Sequence, residues 1–118
     1  MKIEELLMFQ TDVMVLPAGQ KLFSEGDAGD CLYVLMSGTA DVTVRGKVVE
    51  TATTGAILGE LAIIDSSPRS ASVIARDDCN LIMINAETFK TLTRDVPDFA
   101  MHVMRAMADR LRSVGKLL

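Results

Sequence analysis

The chain contains no tryptophan, one tyrosine, one histidine and two cysteines in 118 residues, and each scarcity removes a class of function. With His102 as the only imidazole there is no metal set and no histidine paired with a cysteine as base and nucleophile, so metal-assisted and nucleophilic hydrolysis lack their groups. Enzymes of the cupin kind place several histidines on strands, and His102 falls in a helical stretch. Cys31 and Cys79 lie far apart and follow no metal-ligand spacing, so two reduced thiols are expected. No apolar run approaches a membrane span, and no basic segment leading into an apolar one opens the chain, which reads as soluble and cytoplasmic. Positive charge is in deficit too. Twelve Lys and Arg against 16 Asp and Glu give a net charge of −4, unlike a nucleic-acid surface, and any basic patch must be local, at Arg69 and on the last helix.

Apolar residues are plentiful, at 49% with a mean hydropathy of +0.29, and this length suits one domain with one modest core. Residues 2–8 read as a short amphipathic helix, with Ile3, Leu6 and Leu7 apolar, that needs something to dock on. Short alternating or apolar runs follow at 13–16, 20–24, 31–37, 40–45, 47–53, 71–75 and 79–85, separated by turn segments. Such a pattern predicts a mainly β fold of β-roll or jelly-roll type. Tyr33 reads as core rather than a stacking platform.

After Asn85, a good helix cap, the period lengthens: Phe89 and Leu92 mark a helix over 86–94, and Pro97 restarts the chain. Phe99, Ala100, Val103, Met104, Met107, Ala108 and Leu111 then recur at helical spacing to about Val114. Met101, Met104 and Met107 read as core rather than as an adaptable partner surface. No repeat, low-complexity segment or interdomain linker is visible.

The most informative stretch runs from Gly59 to Ala71. Gly59 lets backbone approach a ligand, and Leu61 to Ile64 can form one helical turn whose first N–H groups face outward, suited to an anion. Arg69, after the rigid Pro68, offers a planar fork of donors for phosphate oxygens, and the small Ser70 and Ala71 let their N–H groups join it. A carboxylate at Glu60 beside an anion needs donors of its own, and sugar hydroxyls are the obvious ones. These residue types ask for a small ligand carrying a phosphate and a ribose.

Gly59-Glu60-Leu61-Ala62 followed by Pro68-Arg69-Ser70-Ala71-Ser72-Val73 resembles the phosphate-binding cassette of the cyclic nucleotide-binding domain family, which includes kinase A regulatory subunits, bacterial catabolite activator protein and cyclic-nucleotide-gated channels. The run from Phe23 to Gly38 is similar to the family's first hairpin, so the resemblance covers nearly the whole chain. It implies a single domain over 1–118, with an N-terminal helix at 1–10, a β-roll at 13–85 and C-terminal lid helices at 86–118. By resemblance, Glu60 accepts the ribose hydroxyl, Arg69 binds the exocyclic phosphate oxygens, N–H groups around Leu61, Ala62, Ser70 and Ala71 complete the cradle, and Val42 lines the base and sugar pocket. Asp30 matches an acid that orients the phosphate Arg in kinase subunits, its alternative being a turn cap.

Arg110 aligns with a lid-helix Arg that reaches the ribose side, its alternative being a solvated helix residue. The family's adenine-reading lid position falls on Val114, which cannot make that bond, so an apolar cap from Leu111, Val114, Leu117 or Leu118 is expected instead. The implied function is a cyclic nucleotide sensor, not an enzyme, that binds cyclic AMP, with cyclic GMP second, and signals through its lid helix. It uses no cofactor or metal, and its expected partner is an effector protein or fused effector domain. A homodimer through the C-terminal helix stays open, as does whether the chain is a complete protein or an excised domain. The alternative is a degenerate domain that serves as a protein-interaction or dimerisation module.

Overall fold

The computed structural model describes residues 2–117, with side chains through Arg112. Eight strands form two four-stranded sheets in which every pairing is antiparallel. One sheet has the order β1-β8-β3-β6, built from β1 (Asp12–Leu16), β8 (Cys79–Asn85), β3 (Cys31–Ser37) and β6 (Ile57–Leu58). The other has the order β2-β7-β4-β5, from β2 (Lys21–Phe23), β7 (Ser72–Ala75), β4 (Ala40–Val44) and β5 (Lys47–Ala52). Neighbours in each sheet are mostly distant in sequence, which is the wrapping of a β-roll.

Two apolar layers hold this together. Between the sheets pack Leu16, Leu35, Val42, Leu58, Val73 and Leu81, while on the outer face of the first sheet Leu32, Val34, Ile82 and Ile84 meet the helices through Leu6, Leu92, Phe99 and Val103. Strands β3 and β8 therefore bury both faces. That explains their nearly unbroken apolar sequences, because successive strand residues point to opposite sides.

The helices are α1 (Ile3–Leu6), α2 (Leu61–Ile64), α3 (Ala86–Asp95) and α4 (Pro97–Leu117). Asn85 caps α3 by accepting from the Thr88 N–H at 2.8 Å. Phe89 of α3 meets Phe99 of α4 edge to face at 5.7 Å. The chain differs from sequence expectation in three places. A two-residue strand, β6, lies where no strand was expected, and α4 runs to Leu117 rather than about Val114. Met101 and Met104 are half exposed and not core, since the buried stripe of α4 passes through Phe99 and Val103 and only Met107 turns inward.

Candidate functional site

Strand β6 ends at Leu58, and Gly59 turns the chain with φ +77° into the single turn of α2. The N–H groups of Ile63 and Ile64 both donate to the Glu60 carbonyl at 3.1 Å, so those of Leu61 and Ala62 precede the first bonds of the turn. Asp65 then accepts from the Ser67 hydroxyl and, at 3.0 Å, from the Ser67 N–H, and these two bonds, the hydroxyl's first, hold the Asp65 carboxyl below the usual range. The loop returns at Arg69. Its N–H donates to the Asp27 carbonyl and its carbonyl accepts from the Gly26 N–H, both at 2.8 Å, which ties the loop to the turn between β2 and β3. A cavity of about 600 Å³ opens beside this loop.

The Arg69 side chain is 6% exposed, and its neighbours are mostly neutral. Nη1 donates to the Gly59 carbonyl at 2.9 Å, Nη2 approaches the Cys31 sulfur at 3.8 Å, and the guanidinium carbon sits 4.3 Å from the Phe23 ring centre and 5.8 Å from that of Tyr33. Two glycines make room for it. A Cβ on Gly59 would overlap Nη1, and one on Gly29 would overlap the guanidinium carbon and lie 2.6 Å from Nη2. No carboxylate forms an ion pair with Arg69 among the described residues. Burial, reinforced by the bond with the Cys31 thiol, pushes the Tyr33 hydroxyl up to about 12, so the aromatic bed under Arg69 is neutral as well.

The same cavity holds a second buried charge. Glu60 is 5% exposed and accepts from Nη1 of Arg110, which reaches down from α4. The same guanidinium donates through Nη2 to the Ile57 carbonyl and, through Nε at 3.3 Å and Nη2 at 3.5 Å, to the two carboxylate oxygens of Glu50 on β5. Burial opposes the charge on Arg110, and the carboxylates of Glu60 and Glu50 more than offset it, so the group stays above its usual range. The rest of the wall is mostly apolar, with Val42, Val44, Val49, Val73, Met107 and Leu111 among its residues.

Nine residues singled out in the sequence, namely Gly59, Glu60, Leu61, Ala62, Arg69, Ser70, Ala71, Val42 and Arg110, line this one cavity. Arg110 is tied into the site rather than solvated. Leu111 lines the cavity while 72% exposed, and the side chains of Val114, Leu117 and Leu118, the rest of the expected apolar cap, lie outside those described.

Asp30 is not brought to the site: it is exposed and makes no ion pair with Arg69 among the described residues. Cys31 and Tyr33, two apart on β3, share the face toward Arg69, and alternation turns Asp30 away. Glu50 was not singled out by sequence. A bulge opposite Val42 and Thr43, which pair with Glu50 and Val48, puts an extra residue at Val49, so Val49 and Glu50 both line the cavity where regular alternation would separate them. Among the described residues no group of three or more His, Cys, Asp or Glu is placed to hold a metal ion.

The family model described as "Cyclic nucleotide-binding domain" matches residues 13–95, most of the chain. The chain belongs to the cyclic nucleotide-binding domain family. Among curated proteins this domain is similar to the cAMP-dependent protein kinase regulatory subunit of Aspergillus niger, with 38% identity over 89 residues, 74% of this chain and 22% of that protein. It is similar also to Pycsar effector protein XpPycTIR of Xanthomonas perforans, with 32% identity over 118 residues, 99% of this chain and 39% of that protein. Among solved structures it resembles Thermus thermophilus Catabolite Activator Protein, with a TM-score of 0.77 and 30% identity, covering 98% of this chain and 57% of that one. The chain thus spans well under half the length of either curated relative. The family match also ends at residue 95, short of α4, so the helix that carries Arg110 to the cavity lies beyond it. No described helix is long and apolar enough to cross a membrane.

Proposed function

We propose that this domain is a cyclic nucleotide sensor that takes cyclic AMP in preference to cyclic GMP and signals through α4, without catalysis of its own. The observation that carries the reading is the presence in one largely apolar cavity of a buried carboxylate and a buried arginine that has no acid partner among the described residues. A cyclic nucleotide has the matching parts: a phosphate monoanion for Arg69, a ribose hydroxyl for Glu60, and a flat base for the valines and Met107. The kinship with a cAMP-dependent kinase regulatory subunit supports the same ligand. Preference for cyclic AMP follows from the absence of a free acid to read the guanine edge. Glu50 is the one additional carboxylate on the wall, and both of its oxygens are engaged by Arg110. Because a ligand moves an equilibrium only by its differential contacts, signalling requires α4 to touch the ligand, and Met107, Arg110 and Leu111 are the residues placed to do so. The effector that reads α4 is a fused domain or a partner protein.

A second reading, an interaction module on a retained fold, is favoured by the exposed Met101, Met104 and Leu111 on α4. Thermal shift separates the two, since any ligand of the native state raises its melting temperature. The sensor reading expects a clear rise with cyclic AMP, and a protein that ignores millimolar amounts of both nucleotides would favour the second. Competition binding then sets the preference, expected on the order of 1 to 3 kcal/mol, the scale of one hydrogen bond or one unsatisfied polar group. Cyclic GMP bound equally well or better would overturn the ligand assignment.

A further inference from the structure

The sensor reading asks one carboxylate to do two things. Glu60 holds α4 through Arg110, and it is also the acceptor offered to the sugar. Among the described residues nothing else fully buried fixes the distal part of α4. Its fully buried residues, Phe99 and Val103, and the bond from His102 Nε2 to the Gly55 carbonyl at 2.6 Å, all belong to the first two turns. Arg110 lies seven residues beyond Val103, roughly 10 Å along the axis at 1.5 Å per residue, and from Met104 to Arg112 no side chain is fully buried. Among the described residues, the protein's hold on this half comes from the half-buried Ala106, Met107 and Ala108 and from what grips Arg110.

We propose that Glu50 is a positioning residue for the lid, a second carboxylate that retains Arg110 so that Glu60 can turn an oxygen to a ligand hydroxyl without releasing α4. Three features of the structure support this. Glu50 meets two different nitrogens of the guanidinium with its two oxygens, which orients a planar fork rather than merely attracting a charge. Glu50 stands across from Val42, two residues from the pair Ala40–Ala52, so β5 presents it on the face that lines the cavity, and the bulge that follows adds Val49 beside it. The Glu50–Arg110 pair is also only about one third exposed on each side, 33% and 31%, which weakens solvent screening without the full desolvation of a buried pair. The grip is protein to protein and operates whether or not a nucleotide is present. It therefore raises the fraction of molecules already competent to bind, and it reduces how much of the closure the ligand itself must drive.

The proposal rests on the reading of α4 as the lid, but its main test uses no ligand. Amide hydrogen exchange of the nucleotide-free protein is compared for wild type, Glu50→Gln, Arg110→Gln and the double variant. In Glu50→Gln, amides of residues 105–112 are expected to exchange about three- to tenfold faster, while those of β3 and β8 stay unchanged and report an intact fold. In the Arg110→Gln background the same substitution is expected to do nothing further, because the two residues act as one unit. Unchanged exchange over 105–112 in Glu50→Gln, or an equal acceleration in both backgrounds, would overturn the role. Affinity supplies the second readout. If wild type binds cyclic AMP, Glu50→Gln should bind it a few-fold more weakly, and equal affinity would count against the latch. If wild type binds no cyclic nucleotide at all, the sensor reading fails and the exchange result alone decides the latch.

Discussion

Two arginines face the same cavity and are held in opposite ways. Arg69, 6% exposed, rests among a backbone carbonyl, a thiol, two aromatic rings and two glycines, with no acid in ion-pair range among the described residues. Arg110, about one third exposed, is gripped by two carboxylates and a carbonyl. A charge neutralised by the protein serves the protein, whereas a charge desolvated without an acid costs stability and keeps its field for something that arrives from outside. On the proposed sensor reading the difference divides the labour of the site, with Arg69 kept for the ligand and Arg110 for the lid.

The sharpest way to break this comparison is to remove each arginine in turn and measure both affinity and stability. Arg69→Ala should cost about 2 to 5 kcal/mol of cyclic AMP binding by calorimetry, as expected when one partner of a desolvated charge pair is lost. It should not lower the denaturant midpoint, since it removes a buried cation that no acid balances. Arg110→Ala should do the reverse. It strips Glu60, 5% exposed, of its cation, and folding stability should fall by about 1 to 3 kcal/mol, with a smaller loss of affinity than Arg69→Ala shows. If Arg69→Ala proves the more destabilising, or Arg110→Ala the more damaging to binding, the division of labour is wrong.

A milder perturbation leaves both charges in place and moves only the bed of Arg69. Gly29→Ala adds a Cβ that overlaps the guanidinium carbon. The backbone at Gly29 is not in the left-handed region, so the effect is steric and not conformational. The expected outcome is an affinity loss of about tenfold, smaller than for Arg69→Ala, together with a destabilisation of about 1 to 3 kcal/mol from overpacking. Unaltered affinity would mean that Arg69 does not need this sleeve to present its charge.

Gly29 also shows where the sequence was legible and where it was not. The cassette was readable because its parts are contiguous: one glycine, one acid, one turn of helix and one arginine within a dozen residues carry their geometry in local backbone preferences. The sleeve around Arg69 was not. Phe23, Gly29 and Cys31 come from the end of β2, the β2–β3 connection and the start of β3, and they are brought there by the pairing of Phe23 with Val73 on β7 and by the two backbone bonds between Arg69 and residues 26 and 27. Placing an acid at Asp30 followed from kinship with kinase subunits, and strand alternation delivers Cys31 in its stead. Glu50 was hidden for a related reason. Alternation along 47–53 assigns Val49 and Glu50 to opposite faces, and a bulge is a tertiary event with no local signature here. Strand β6 is two residues long, too short for any period to show. The sheet layers themselves were plain, because strands buried on both faces, such as β3 and β8, have to be apolar throughout.

The smallest expected effect tests whether the bed of Arg69 is as neutral as its contacts indicate. Burial, with help from the Cys31 thiol, raises the Tyr33 hydroxyl from its ordinary value near 10 to about 12, even though Arg69 pulls the other way. The folded state therefore keeps the proton that the unfolded chain releases first. Stability from this source is complete below about pH 10 and is lost as pH rises toward 12, where the unfolded state binds fewer protons than the native one. Urea midpoints measured from pH 8 to 12 should decline more steeply in wild type than in Tyr33→Phe, which has no proton to lose. The difference should be modest, since the ring is only half-buried. Equal slopes would show that Tyr33 titrates alike in both states. A steeper slope in Tyr33→Phe would point the other way, to a hydroxyl that ionises readily beside Arg69 and supplies the acid this site otherwise lacks.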